Sequence, residues 1–309
     1  MPKLNIEKSI TIDCPIEKVF ESVRDFKQWK EWSPWIIAEP DCKITYAKDG
    51  KSYDWEGKII GAGGMQVTEE DKPTSIKYKL TFLKPWKSES EVEFKFAKKG
   101  GGTEVTWTMD GSLPFFLFFM KKMMTAFIGM DYERGLAMLK PYLEDGSVPV
   151  KLDFEGEKPF SGFRYIGYKS RSSIAEMGEQ MAKDFEHLNS YVEAQPRLEK
   201  VGAPFTMYSK WNPVKGFAEY TVGIPVEGPP PGLSDEFAYT DLPDFRTYVI
   251  KHTGPYPYLG NGWSAGHMHA RGKVFRQNKK IYPFEIYEND PRETDEKDLV
   301  TVIHFPVKE

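Results

Sequence analysis

The stretch "YPFEIYENDP", Tyr282 to Pro291, sets a carboxylate inside a short apolar run. Glu285 is flanked there by Phe284 and Ile286, with Tyr287 two positions on. Alternate side chains of an extended chain share a face, so Glu285 and Tyr287 point together. Phe284 and Ile286 point the other way and are expected to meet covering helices. Glu285 and Tyr287 are then expected on the open side of a sheet. An acid among rings pairs with a cation, and ring faces add about 0.5–2 kcal/mol of cation–π attraction. The same acid, once desolvated, holds its proton more readily and suits general acid or base work. In a third arrangement Glu285 has no such use, because it is exposed or pairs with an arginine such as Arg246.

The run has a partner elsewhere. "PFTMYSKWNP" starts at Pro204 and "PFEIYENDP" at Pro283, and both read Pro-Phe-x-x-Tyr. Each is the first strand after the helix in a unit of strand, helix, strand, strand, which "AEYTVGIPV" and "LVTVIHFPV" close. The first unit opens with "FRYIGYKS" and a helix in which Ser173 and Glu176 have capping-box spacing. The second opens with "FRTYVIKHTG" and a helical region from about Tyr258 to Gln277. Two such units pair their sheets side by side with helices on one face. Thr206 and Tyr208 take the places that Glu285 and Tyr287 take in the second unit. A pseudo-twofold gathers these faces around one cleft with the acid on one side only. Tyr220, Trp211 and Trp263 are candidate walls, and Tyr208 or Tyr287 a hydrogen-bond donor.

Other chemistry is poorly supported. His267 and His269 in "HMH" are two apart, which on a helix points them in different directions, so no metal site is expected. His252 is expected to be an ordinary hydrogen-bonded histidine beside a loop. "GAGGMQ" at Gly61 lacks the spacing of a phosphate loop, and no G-x-S-x-G elbow occurs. No cofactor is expected.

The 309 residues suffice for two domains, and 40% hydrophobic with 28% charged residues is a globular balance. A net charge of −4 gives no basic field for nucleic acid. Cys14 and Cys42, far from any metal spacing, suit a reducing, cytoplasmic compartment. "LPFFLFFMKKMMTAFIGM" is broken by Lys121 and Lys122 before membrane-spanning length, so a helix without stable membrane insertion is expected. Nothing in the sequence sets an oligomeric state.

The first half reads as one short amphipathic helix (Ile16, Val19, Phe20, Val23), the aromatic "WKEWSPW", several hairpin-linked strands and a long helix from about Phe115 to Leu143. Phe116, Met120, Met123, Phe127, Met130, Arg134 and Met138 fall roughly on one stripe of that helix, either filling a core or lining an apolar pocket. Trp29, Trp32 and Trp35 either close a core end or gate a ligand. The chain is of the α+β class. Domains are expected at 1–146 and 160–309, with the Gly- and Pro-bearing 147–159 as linker.

"ITIDCPIEKVFESVRDFKQWKEWSPW", "YDWEGKIIGAGGMQVTE" and the terminal "ERGLAMLKPYLEDG" resemble the START-like polyketide cyclase/dehydrase family. That resemblance implies a helix-grip fold, a curved antiparallel sheet around a long C-terminal helix, with an apolar ligand cavity. "HTGPYPYLGNGW", "YPFEIYENDP" and "TVIHFPV" resemble the GyrI-like effector-binding family, a duplicated β-α-β-β domain. This implies a small-molecule ligand, often cationic and aromatic, with the family glutamate at Glu285. Some relatives instead hydrolyse cyclopropane-bearing compounds with that glutamate and a tyrosine, here matched to Tyr208. No helix-turn-helix pattern precedes this half, which argues against direct transcription control.

Overall fold

The structure, a computed structural model, describes residues 3–308 apart from 85, 114, 196, 197, 229 and 231, with the backbone alone at 115 and 116. The chain divides into two compact units, Met1–Pro149 with His267–Gly272, and Val150–Gly266 with Lys273–Glu309.

The first unit runs β1 (Lys3–Ile12), α1 (Ile16–Arg24), α2 (Trp29–Trp32), β2 (Lys43–Tyr46), β3 (Ser52–Glu56), β4 (Ala62–Asp71), β5 (Ser75–Lys84), β6 (Ser88–Lys99), β7 (Gly102–Ser112), a 3-10 turn Phe115–Met120 and α3 (Lys121–Glu144). Its strands form one sheet in the order β1-β7-β6-β5-β4-β3-β2, antiparallel throughout. Alternation drives this: Val105, Trp107 and Met109 of β7 all turn to the core face. On α1 the expected stripe of Ile16, Val19, Phe20 and Val23 is buried.

α3 departs from the expected stripe. Its buried face carries Gly129, Tyr132, Gly135, Leu136, Met138, Leu139 and Leu143, whereas Met123 and Phe127 are exposed. The side chain of Phe116 lies outside the described residues. Small residues decide the contact face, because Gly135 leaves room for the indole of Trp107, which would lie 2.9 Å from a Cβ there. Tyr132 stacks on Trp107 at 3.9 Å between centroids, and Phe94 stacks on it at 4.7 Å. Trp29 and Trp32 are fully buried against the same indole, and Trp35 meets it edge-on at 6.0 Å. At this level rings fill the space between sheet and helix. The helix itself starts at Lys121 rather than near Phe115, since no side chain caps it and a 3-10 turn precedes it.

The second unit runs β8 (Lys151–Phe160), β9 (Phe163–Ser173), α4 (Met177–Glu193), β10 (Glu199–Lys200), β11 (Phe205–Asn212), β12 (Phe217–Glu227), β13 (Phe237–Leu242), β14 (Phe245–Thr253), α5 (Gly260–Arg271), β15 (Phe284–Tyr287) and β16 (Val300–Pro306). The sheet order is β13-β9-β12-β11-β15-β16-β14-β8, with β10 beside β12. β9, β12 and β11 therefore mirror β14, β16 and β15 across the central β11–β15 pair, as the repeat implied. Most of the segment read as linker is strand, because β8 finds a full partner in β14. Likewise β13 pairs with β9, so each repeat is flanked by the strand that precedes the other. Ser173 and Glu176 do bond to each other, but in a turn ahead of α4, which starts at Met177.

Candidate functional site

Glu285 is 1% exposed. It does not look out from an open sheet face. The register sets it beside Thr206 on β11 and Ile303 on β16, and its side chain rises toward the helices. Trp263 of α5 donates its indole N–H to Oε2. Tyr208 and Tyr287 both donate to Oε1, at 2.8 and 2.6 Å. The faces are thus the reverse of the expected ones. Phe284 packs with Phe205, Tyr165 and Leu242 on the face away from Glu285, where Phe160 and Phe245 add a private aromatic layer. The layer satisfies Phe284 and Ile286 without a helix, which frees the other face for α4 and α5.

Two glycines bring α5 down onto the sheet. A Cβ at Gly266 would lie 2.1 Å from the ring of Phe305, and one at Gly262 2.6 Å from Ile303. Trp263 between them is thereby lowered onto the carboxylate. Across from it, α4 offers Met181, whose sulfur lies 3.3 Å from the Tyr287 hydroxyl. Thr206 Oγ1 lies 3.0 Å from that same hydroxyl. Phe185 and Tyr256 meet the Tyr287 ring edge-on at 5.6 and 5.7 Å.

The structure brings together Glu285, Tyr208, Tyr287 and Trp263. Tyr220 reaches the group at second hand: its ring lies 6.3 Å from that of Tyr208, while its hydroxyl donates to Asp184 at 2.7 Å. Trp211 touches the Tyr208 ring edge-on but is 39% exposed, at the rim. Arg246 pairs with Glu157 and not with Glu285. Asp184, Met181 and Phe185 were missed from sequence, although a carboxylate in the apolar stripe Met181, Leu188, Val192 of α4 was a visible signal. Gly262 and Gly266, four apart around Trp263, were another.

Burial pushes the Glu285 carboxyl up from its usual range, and the three donors pull it part of the way back. The phenols of Tyr208 and Tyr287 are pushed well up by burial and by the adjacent carboxylate, so both stay protonated as donors. Both carboxylate oxygens are satisfied, yet every partner is neutral.

His252 lies in β14 and is fully buried, with neither ring nitrogen bonded among the described residues; the hydrogen-bonded histidine expected there is corrected. Its neighbour across the sheet, Thr301, is equally buried. Burial lowers the imidazole to about 4. The unfolded chain takes up this proton near pH 6.5 and the folded chain only near 4, so stability is complete above 6.5 and drains away as pH falls through that window. The drop amounts to about 3 kcal/mol. A His252→Phe variant is expected to lose markedly less stability than the parent between pH 7 and 4 in urea titrations, and parallel losses would refute the assignment.

Among the described residues, no three His, Cys, Asp or Glu side chains come together as a metal site, and no helix is long and apolar enough to cross a membrane.

Residues 3–144 match the family model for polyketide cyclase / dehydrase and lipid transport, and residues 157–308 match that of the GyrI-like small molecule binding domain. A search of the curated proteins found no match. Among solved structures, an EcmrR–DNA complex matches at 14% identity over 61% of this chain and 66% of that chain, with a TM-score of 0.45. The EcmrR C-terminal domain matches at 14% identity over 52% and 98%, with a TM-score of 0.44. CV1439 from Chromobacterium violaceum matches at 17% identity over 46% and 98%, with a TM-score of 0.35. The chain joins an N-terminal START-like domain of the polyketide cyclase/dehydrase family to a C-terminal domain of the GyrI-like small-molecule-binding family.

Proposed function

We propose that the Glu285 site binds a small cationic molecule carrying aromatic surface, and that the protein senses or sequesters it. One observation carries this reading: a fully buried carboxylate held by two phenols and an indole, with no cation paired to it among the described residues. Neutral donors satisfy the lone pairs but leave the charge uncompensated in a low-dielectric setting. A ligand cation supplies the missing charge, and the rings of Tyr208, Tyr287 and Trp263 add cation–π attraction. Tyr220 and Trp211 would act as outer walls. The functional modules are proposed as residues 1–146 and 160–309, with 147–159 supplying most of β8, in a cytoplasmic setting suited to two free cysteines.

A second reading rests on the Tyr208–Glu285 hydrogen bond of 2.8 Å. A carboxyl with a raised pKa beside a phenol is an acid/base pair, and would suit hydrolysis of a cyclopropane-bearing compound.

Tetraphenylphosphonium, a permanent cation, separates these ideas because only the protein titrates. Its affinity is expected to fall as pH drops, beginning above the usual glutamate range, as Glu285 gains its proton. Affinity that stays flat down through the usual glutamate range, measured by calorimetry, would end the cation reading. Turnover of a cyclopropane-bearing substrate that vanishes in Tyr208→Phe would establish the hydrolase.

A further inference from the structure

All the exposed large hydrophobic side chains of the first unit's described residues lie in two segments. Leu83 (52% exposed) at the end of β5 and Trp86 (40%) in the β5–β6 connection form one segment, and Phe118 (59%), Phe119 (70%), Met123 and Phe127 in the 3-10 turn and the first turns of α3 the other. Register puts both segments at one end of the sheet. Phe82 pairs with Ser88 just before the β5–β6 tip, and Ser90 pairs with Gly111 just before β7 leaves for the 3-10 turn. α3 runs along β1 from the same end, because a Cβ at Gly129 would lie 3.2 Å from Cε of Lys8. Eight residues of helix cover roughly 12 Å, and the five residues of β1 back to Lys3 roughly 17 Å. Lys3 in turn pairs with Ser112.

The two segments themselves carry only positive charge, and the nearby acids Glu56 and Glu89 are paired with Lys84 and Lys79. Lys87, Lys121 and Lys122 are exposed and enter no ion pair among the described residues, while Lys84 meets Glu56. Residues 81–88 and 113–130 contain four lysines and no acidic residue, in a chain of net charge −4. A scattered exposed leucine is ordinary surface, but six large apolar groups on two segments that carry lysines and no acid are not. Phenylalanine and tryptophan seat at the headgroup boundary, and lysines beside them meet anionic headgroups.

We propose that this end of the first unit docks reversibly on an anionic lipid surface. Phe118, Phe119, Leu83 and Trp86 enter the headgroup boundary, and Lys87, Lys121 and Lys122 hold it by charge. The contact is peripheral, since no described helix can span a bilayer. It is independent of the Glu285 reading.

The test is flotation of the full chain with vesicles of phosphatidylcholine alone or mixed with phosphatidylglycerol. Binding to the mixed vesicles only, weakened by added salt, is expected. Lys121→Glu/Lys122→Glu should cut it at least about tenfold, since each lysine near the surface is worth about fivefold. Phe118→Ser/Phe119→Ser should abolish it with little change in melting temperature, because both side chains are mostly exposed. Absence of the parent chain from floated mixed vesicles would overturn the proposal. So would binding that survives both double variants. Self-association abolished by Phe118→Ser/Phe119→Ser, without vesicle binding, would assign the face to a second copy of the chain and equally overturn it.

Discussion

Glutamine at position 285 is expected to weaken tetraphenylphosphonium binding by about 30-fold or more, since removing one member of a buried charge pair costs about 2 kcal/mol at the least. The exchange keeps the side chain's shape and one oxygen acceptor for Tyr208 and Tyr287. It removes the charge, and it turns either an amide N–H toward the indole N–H of Trp263 or the pair of phenols onto a donor. Some fold stability goes with that clash, about 1–3 kcal/mol for a buried group left unpaired. Two measurements keep the effects apart. Thermal melting reads the clash, and calorimetry with neutral triphenylphosphine oxide reads the shape of the site. Loss of the cation with retention of the neutral ligand is the expected pattern. Equal affinity of parent and variant for the cation would remove Glu285 from the recognition scheme.

Trp107→Ala is expected to have the largest effect on the fold of the first unit, about 3–5 kcal/mol. The indole is 1% exposed and touches Trp29, Trp32, Trp35, Phe94 and Tyr132. Each of these loses a ring contact at once, and Gly135, placed to clear the indole, leaves the helix nothing to close the gap with. Urea unfolding of the full chain should show one transition moved to much lower denaturant. A shift worth less than about 1.5 kcal/mol, the range of a well-tolerated apolar swap, would mean the rings repack around the gap.

Much of the architecture could be read in advance where local pattern and burial agree. α1 follows from four apolar residues at helical spacing, and the side-by-side pairing of the second unit's two repeats follows from the shared Pro-Phe-x-x-Tyr pattern. The acid was also visible, as a carboxylate in an alternating run. Its direction was not. Alternation says that Glu285 and Phe284 part company, but only tertiary packing says which of them meets the helices. The unforeseen aromatic layer of Phe160, Phe163 and Phe245 took Phe284 to itself. α3 failed for a related reason. Methionine and phenylalanine spacing marked one stripe, but Gly129 and Gly135 permit the closest approach and thus choose the buried side. β8 hid in a segment whose Gly and Pro looked like a linker, because its partner β14 lies some ninety residues on.

The exchange of leading strands gives the second unit a topological bond between its halves. β8 enters beside β14, and β13 beside β9. Neither half of the duplication is a finished object alone: each would expose the long edge that the other's strand now seals. In the present chain, a cut between the halves would separate two pieces that still hold one another's missing rim.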